Sequence, residues 1–310
     1  ESLDWANEQR LLARVIIEKT LNGARSTGSN RPGASRTIKA RRIVSLNTAG
    51  GDPVVLFEGD PERMRRSLDM GHINDLLPDD PDHVLMTAWE NDGVMGLHRV
   101  NINDGKATRI ERGTFFTIGW QTHNGVAVLR RDINARRTME TVYARAPGER
   151  EWKFVRRTRI VDAPDFSWIA GGDRPDTVLV SARAEGEDLE TIREMNLHTL
   201  AFGAPMQARP GRDVLYGLLD DRNRYVGAAY YGDRLEYAFA ETGLAAHHRA
   251  MNRFFDDDCD VHLVQISPDR NRIIAYVEGP REPGAWYLYD KTARSMTNLG
   301  ARRALDFQRL

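Results

Sequence analysis

One unit of nearly constant length recurs along the chain, and this limits the fold more than any other feature. With Asp80, Asn124, Asp173, Asp221 and Asp269 as anchors, each in a polar turn, the spacings are 44, 49, 48 and 48 residues. Every anchor precedes an apolar run, at 84–86, 126–129, 178–180, 225–228 and 273–277. Between anchors lies a second signature of alternating apolar residues, as in 43–47 followed by 54–56, 97–101 and 286–290. Period-two alternation predicts strands with one buried face. A helical solenoid of similar period would show apolar residues at i, i+3 and i+4, and these segments do not. A unit of about 40–50 residues holding four short antiparallel strands is a propeller blade.

The expected fold class is therefore all-β, a β-propeller in a single domain spanning 1–310. Blades begin at Trp5, Leu76, Trp120, Trp168, Leu218 and Ile266. About seven four-stranded blades are expected, six of them readable and a seventh completed by sequence before Glu1. Trp5, Trp120 and Trp168 hold equivalent positions and read as blade-packing residues. The first interval is longer, 73 residues from Asn7 to Asp80, and an insertion at 20–39 accounts for the excess. It carries Gly23, Gly28 and Gly33, with Arg25, Arg31, Arg36 and Lys39 and no acid, which predicts a flexible surface loop. One stretch departs from the β pattern. Residues 242–255 place Leu244, His248, Met251 and Phe255 at helical spacing, so a short helix is expected there, followed by the acids Asp256, Asp257 and Asp258.

Charge excludes some functions. With 44 Lys and Arg against 45 Asp and Glu, no nucleic-acid surface dominates the chain, and a nucleic-acid partner is not expected. No apolar run approaches the roughly 18 residues of a membrane span. Cys259 is the only cysteine, which excludes an internal disulfide and a Cys-rich zinc site.

Catalytic patterns are weak throughout. The nucleophile elbow G-x-S-x-G is absent; Gly33-Ala34-Ser35-Arg36-Thr37 lacks the second glycine. Gly28 and Gly33 have phosphate-loop spacing, but Ala34 stands where the lysine is required. His247 and His248 are neighbours on the expected helix and point about 100° apart, which does not suit one metal ion. His72, His83, His98, His123, His198 and His262 read as scattered over different blades. The acids 256–258 with Asp260 lack the alternating ligands of a calcium loop. Ser267-Pro268-Asp269 begins like the Asp-box of sialidase propellers but continues without its glycine or tryptophan, and reads as a blade turn. Arg130, Arg131, Arg136 and Arg137 form a dense basic cluster at an expected hairpin tip around Asn134; an anion clamp is the sharper alternative. No catalytic, cofactor-binding or metal residue is assigned, and no cofactor is expected.

A resemblance to a known family rests on the closing segment. Pro283-Gly284-Ala285-Trp286-Tyr287-Leu288-Tyr289-Asp290-Lys291-Thr292, with Leu299 and 300–303 after it, resembles the last blade of the prolyl oligopeptidase family of serine hydrolases. Residues 77–86 and 4–12 resemble its bacterial dipeptidyl-aminopeptidase or acylaminoacyl-peptidase-like branch. The resemblance implies a propeller that caps an α/β-hydrolase domain and restricts access to its active site. That domain, the expected partner, would follow residue 310, with a peptide as substrate; no catalytic residue carries over to this chain. The alternatives are a free-standing interaction propeller like that of the Tol system and, behind it, a propeller glycosidase. The compartment is open between periplasm and cytoplasm of a bacterium, the periplasm favoured.

Overall fold

The structure is a computed structural model and describes residues 2–21, 36–60, 63, 67–162 and 165–302. The chain divides into two compact units, Glu1–Asp162 and Ala163–Leu310, each containing three antiparallel sheets.

In the first unit, the first sheet joins β1 (Ser2–Trp5), β2 (Arg10–Leu21), β3 (Arg36–Asn47) and β4 (Val54–Val55) in that order. The second joins β5 (Ile73–Asp75), β6 (His83–Trp89), β7 (Met95–Asn101) and β8 (Ala107–Arg112). The third joins β9 (Thr117–His123), β10 (Val126–Ile133), β11 (Met139–Ala144) and β12 (Lys153–Arg159). Each of these sheets is a meander in which consecutive strands pair. Asn124 and Gly125 show how a turn sets the register. Both have positive φ, +50° and +74°, and His123 pairs with Val126 across them. A two-residue hairpin needs this left-handed geometry, and Asn-Gly adopts it at low steric cost. The core between the first two sheets holds Leu12, Ile43, Phe57, Met70, Met86 and Ile102; Leu77, Leu85, Leu97 and Trp120 fill the space toward the third.

In the second unit, β13 (Phe166–Gly171), β14 (Thr177–Ala182), β15 (Thr191–Asn196) and β16 (Phe202–Met206) form the fourth sheet. The fifth has only three strands, β17 (Tyr216–Leu219), β18 (Tyr225–Tyr231) and β19 (Leu235–Phe239). The sixth comprises β20 (Asp260–Ile266), β21 (Arg272–Gly279), β22 (Glu282–Asp290) and β23 (Ser295–Ala301). A helix, α1 (Thr242–Phe254), follows β19 where a fourth strand was expected. It buries Leu244, His248 and Met251 against a core shared with Leu218, Val261, Ile273 and Tyr287. Truncation of Leu244 or Met251 to alanine costs about 2–5 kcal/mol at such a site. The helix ends where Asp256 and Asp257 both adopt φ of +55°. Arg253 in its last turn, and Arg234 donating to the Asp257 carbonyl, set positive charge against the acids that follow it.

The six expected blade starts fall in, or one residue beyond, the first strand of each sheet. Three expectations change. The blade count is six among the described residues, five of four strands and one of three; a seventh blade is not among them. Trp120 is buried, but Trp5 is 59% exposed and packs no core. The expected loop at 20–39 is shorter at both ends. Leu21 pairs with Arg36 and Glu18 with Lys39, so Arg36 and Lys39 belong to a strand. Residues 22–35, including the Gly33-Ser35 segment, lie outside the described residues.

Candidate functional site

A cleft of the second unit lies beside the last strand of the three-stranded sheet. β19 is paired on one side only, to β18, and α1 follows it after two residues. The cleft, of about 480 Å3, lies between Tyr237 and Phe239 on β19, the 207–209 segment after β16, and Thr242, Ala245, His248 and Arg249 of α1. Tyr237, Phe239 and His248 form an aromatic floor: the Tyr237 ring lies 5.4 Å from Phe239 and 4.9 Å from His248, the latter edge-on. Hydrogen bonds hold each wall. The Tyr225 hydroxyl donates to Gln207 Oε1 at 2.8 Å and the Tyr230 hydroxyl to the Gln207 carbonyl at 3.0 Å. Arg209 reaches the free edge of β19, donating to the Tyr237 carbonyl at 3.4 Å. The Tyr237 hydroxyl lies 2.9 Å from that of Tyr216 and accepts from Leu263 N–H at 3.0 Å. Burial pushes the Tyr237 phenol far up, so it stays protonated. His248 is pushed down to about 4 by burial, against the opposing effect of the Val261 carbonyl, and is neutral at pH 7.

A charge network reaches the cleft through Glu241. Asp220 is fully buried; its Oδ1 accepts from the backbone of Arg222 and Arg224, both at 2.9 Å, and its Oδ2 from Arg224 Nε at 2.9 Å. Arg270 donates to Asp220 at 3.0 Å and grips Glu241 with two bonds of 3.0 and 2.8 Å. Burial favours the neutral form of Asp220, yet these donors outweigh it and hold the group below the usual carboxylate range. Because Arg270 occupies the Glu241 carboxylate, Glu241 stands at the N-cap of α1 without capping it. The cleft thus has a neutralised acid and two exposed guanidinium groups, Arg209 and Arg249, at its rim. It holds no nucleophile beside a base. The aromatic floor and the two rim arginines suit an apolar body carrying an anionic end.

The other sequence candidates resolve individually. Arg130 pairs with Asp132 through two bonds of 3.0 and 2.9 Å, and Arg131 with Glu140 through two of 2.7 Å. These two arginines are therefore occupied, while Arg136 and Arg137 are exposed on the hairpin. Ser267 and Asp269 close the β20–β21 turn, with Ser267 Oγ donating to Asp269 at 2.6 Å. The histidines are less scattered than expected, since His83 and His98 lie on neighbouring strands of the second sheet. His98 meets Arg63, and its Nε2 lies 3.0 Å from Glu90. Among the described residues no group of three or more His, Cys, Asp and Glu side chains could hold a metal. Sequence reasoning missed the cleft. Gln207, Tyr237 and Arg249 are far apart in the chain, and only the helical period of 242–255 marked the place.

Six successive antiparallel sheets of this kind define the class, an all-β propeller with one short helix. No family model and no curated protein matches the chain. Among solved structures, it is similar over 97% of its length to 46% of an acylaminoacyl peptidase, solved in complex with Z-Gly-Gly-Phe-chloromethyl ketone, at 11% identity and a TM-score of 0.51. It also aligns over 100% of its length with 98% of the β-propeller domain of the Trilobed protease from Pyrococcus furiosus, at 7% identity and a TM-score of 0.40. TolB from Acinetobacter baumannii aligns over 97% of this chain and 66% of its own, at 11% identity and a TM-score of 0.45. The likeness is one of fold, and the structural neighbours include propeller domains of prolyl oligopeptidase-family peptidases. The chain spans less than half the length of the acylaminoacyl peptidase.

Proposed function

We propose that this chain is the non-catalytic propeller domain of a serine peptidase of the prolyl oligopeptidase kind, one domain over 1–310, and that it caps the hydrolase domain. A ring of blades in that position admits short or extended peptides and turns away folded proteins. The observation that carries this reading is the match of nearly the whole chain to less than half of an acylaminoacyl peptidase, as one domain of a larger enzyme would give. The closing 283–292 segment supports it independently, because it resembles the strand that precedes the catalytic domain in that family.

A second reading, a binding propeller without a hydrolase, is favoured by the cleft beside α1, which has binding groups and no catalytic pair. A glycosidase reading has less support. Asp220 and Glu241 come together, but both are held by Arg270 and neither is free to donate or accept a proton. A fluorophosphonate probe separates the first two readings without a guess at the substrate. The native protein should be labelled at a serine outside 1–310, and the 1–310 chain should not be labelled. A native protein that takes no label supports the binding module instead.

A further inference from the structure

The outer strand of the third sheet carries charge that the described residues do not neutralise. From 130 to 159 the chain has ten Lys and Arg against four Asp and Glu, although its net charge is −1. Three of those acids are taken, by Arg130 at 2.9 Å, Arg131 at 2.7 Å and Lys153 at 2.8 Å. Arg136, Arg137, Arg157 and Arg159 are exposed and have no carboxylate partner among the described residues; Arg157 donates only to Thr141 Oγ1, at 3.1 Å. The register gathers them at one corner. Arg159 pairs with Met139, just after the hairpin that carries Arg136 and Arg137, and Ile160 N–H donates to the Thr138 carbonyl at 3.0 Å.

The same strand aligns its exposed side chains. Phe154, Arg157 and Arg159 pair with Tyr143, Thr141 and Met139, which are two residues apart on β11 and so share a face. A register shift between Val142 and Tyr143 brings Phe154, 56% exposed, onto the face of the arginines. Among the described strands, β12 pairs on one side only, with β11. An edge strand offers backbone donors and acceptors to any extended chain, and like charges on it repel a second copy of itself. A partner of opposite charge meets no such barrier.

We infer that the free edge of β12 docks an extended acidic segment of a partner protein, which adds to the third sheet as a further strand. Main-chain hydrogen bonds supply the pairing, and side chains alternate at the same repeat on both strands. Carboxylates two residues apart then face Arg157 and Arg159, an apolar side chain lies on Phe154, and Arg136 and Arg137 meet acids just beyond the paired stretch. The peptide is favoured over a nucleic acid because the surface combines an open strand edge with the arginine repeat. This inference is independent of any hydrolase domain.

The test is fluorescence anisotropy on the 1–310 chain with a labelled peptide of about ten residues that carries glutamates at alternate positions with valines between them, one glutamate being replaced by leucine so that the face toward the arginines also offers an apolar side chain to Phe154. Binding that weakens roughly tenfold or more in Arg157→Glu/Arg159→Glu, and again in Arg136→Glu/Arg137→Glu, is the expected result. These side chains are exposed, and an unchanged melting temperature verifies that each variant is folded. A version of the peptide N-methylated at alternate amides should also bind roughly tenfold or more weakly, because it cannot extend the ladder. Equal affinity for a lysine–valine peptide, insensitivity to both pairs of substitutions, or unchanged binding of the N-methylated peptide overturns the inference. Stronger binding of an oligothymidylate of about twenty nucleotides also overturns it, in favour of a nucleic-acid surface.

Discussion

Asp220 and Arg270, fifty residues apart in the chain, meet at 3.0 Å and join the fifth-sheet turn to the sixth. The pair has little solvent around it: the Asp220 side chain is fully buried and that of Arg270 is 17% exposed. Removing the Asp220 carboxylate leaves Arg270 with Glu241 alone and takes the acceptor from the Arg222 and Arg224 backbone N–H groups. Asp220→Ala should therefore cost about 1–3 kcal/mol in urea denaturation, more than an exposed pair such as Lys106 with Asp104. A loss below about 1 kcal/mol would show that the network does not hold the two sheets together.

The pH dependence of stability falls into two windows with the same sign. His98 is pushed down to about 4, first by burial and then by Arg63, against the pull of Glu90; His248 is pushed down to about 4 by burial. Below about 6.5 the unfolded chain takes up these protons while the folded one refuses them, so stability falls as pH drops toward 4, by about 1.4 kcal/mol per pH unit for each group. Asp220 acts lower. Its folded-state value is depressed, so its contribution is present above the unfolded carboxylate range and is lost as pH falls through the folded value. Urea titrations at intervals from pH 7 to 4 should show the first loss, and His248→Gln should reduce its slope. A flat profile over that range would contradict the burial of both rings.

Two tyrosines in hydroxyl contact should respond unequally. Tyr237→Phe removes the acceptor of Leu263 N–H and leaves a buried donor unpaired, at about 1–3 kcal/mol. Tyr216→Phe leaves that bond in place and should cost less. Equal losses would mean that the bond to Leu263 contributes nothing to the cleft floor.

Much of the fold is legible in the sequence because its turns carry their own chemistry. Asn124-Gly125 specifies a two-residue hairpin without any knowledge of the rest, and Asp269 forms its turn with Ser267 and Asn271 next to it. The second strands of the second and fourth sheets read as continuous apolar runs, at 84–86 and 178–180, for a physical reason. β14 is buried at all six of its residues, so both of its faces are covered and period two disappears. Position in a repeat does not determine burial, as Trp5 and Trp120 show: the equivalent residue of the first sheet is exposed. The cleft was illegible because its walls come from segments about thirty residues apart and its charge depends on Arg270, which removes Glu241 from the balance. Likewise, the basic cluster at 130–137 was legible, but not that Arg130 and Arg131 are occupied while Arg157 and Arg159 replace them at the corner.

Size selection tests the capping role most directly. A short peptide and the same sequence held in a loop of a folded protein are offered to the native protein, and to the protein with residues 1–310 removed. Capping predicts that the native enzyme cleaves the peptide and spares the folded protein, and that removing the propeller abolishes this preference. If the hydrolase domain alone keeps the preference, or if the native enzyme cleaves both substrates equally, the propeller does not control access.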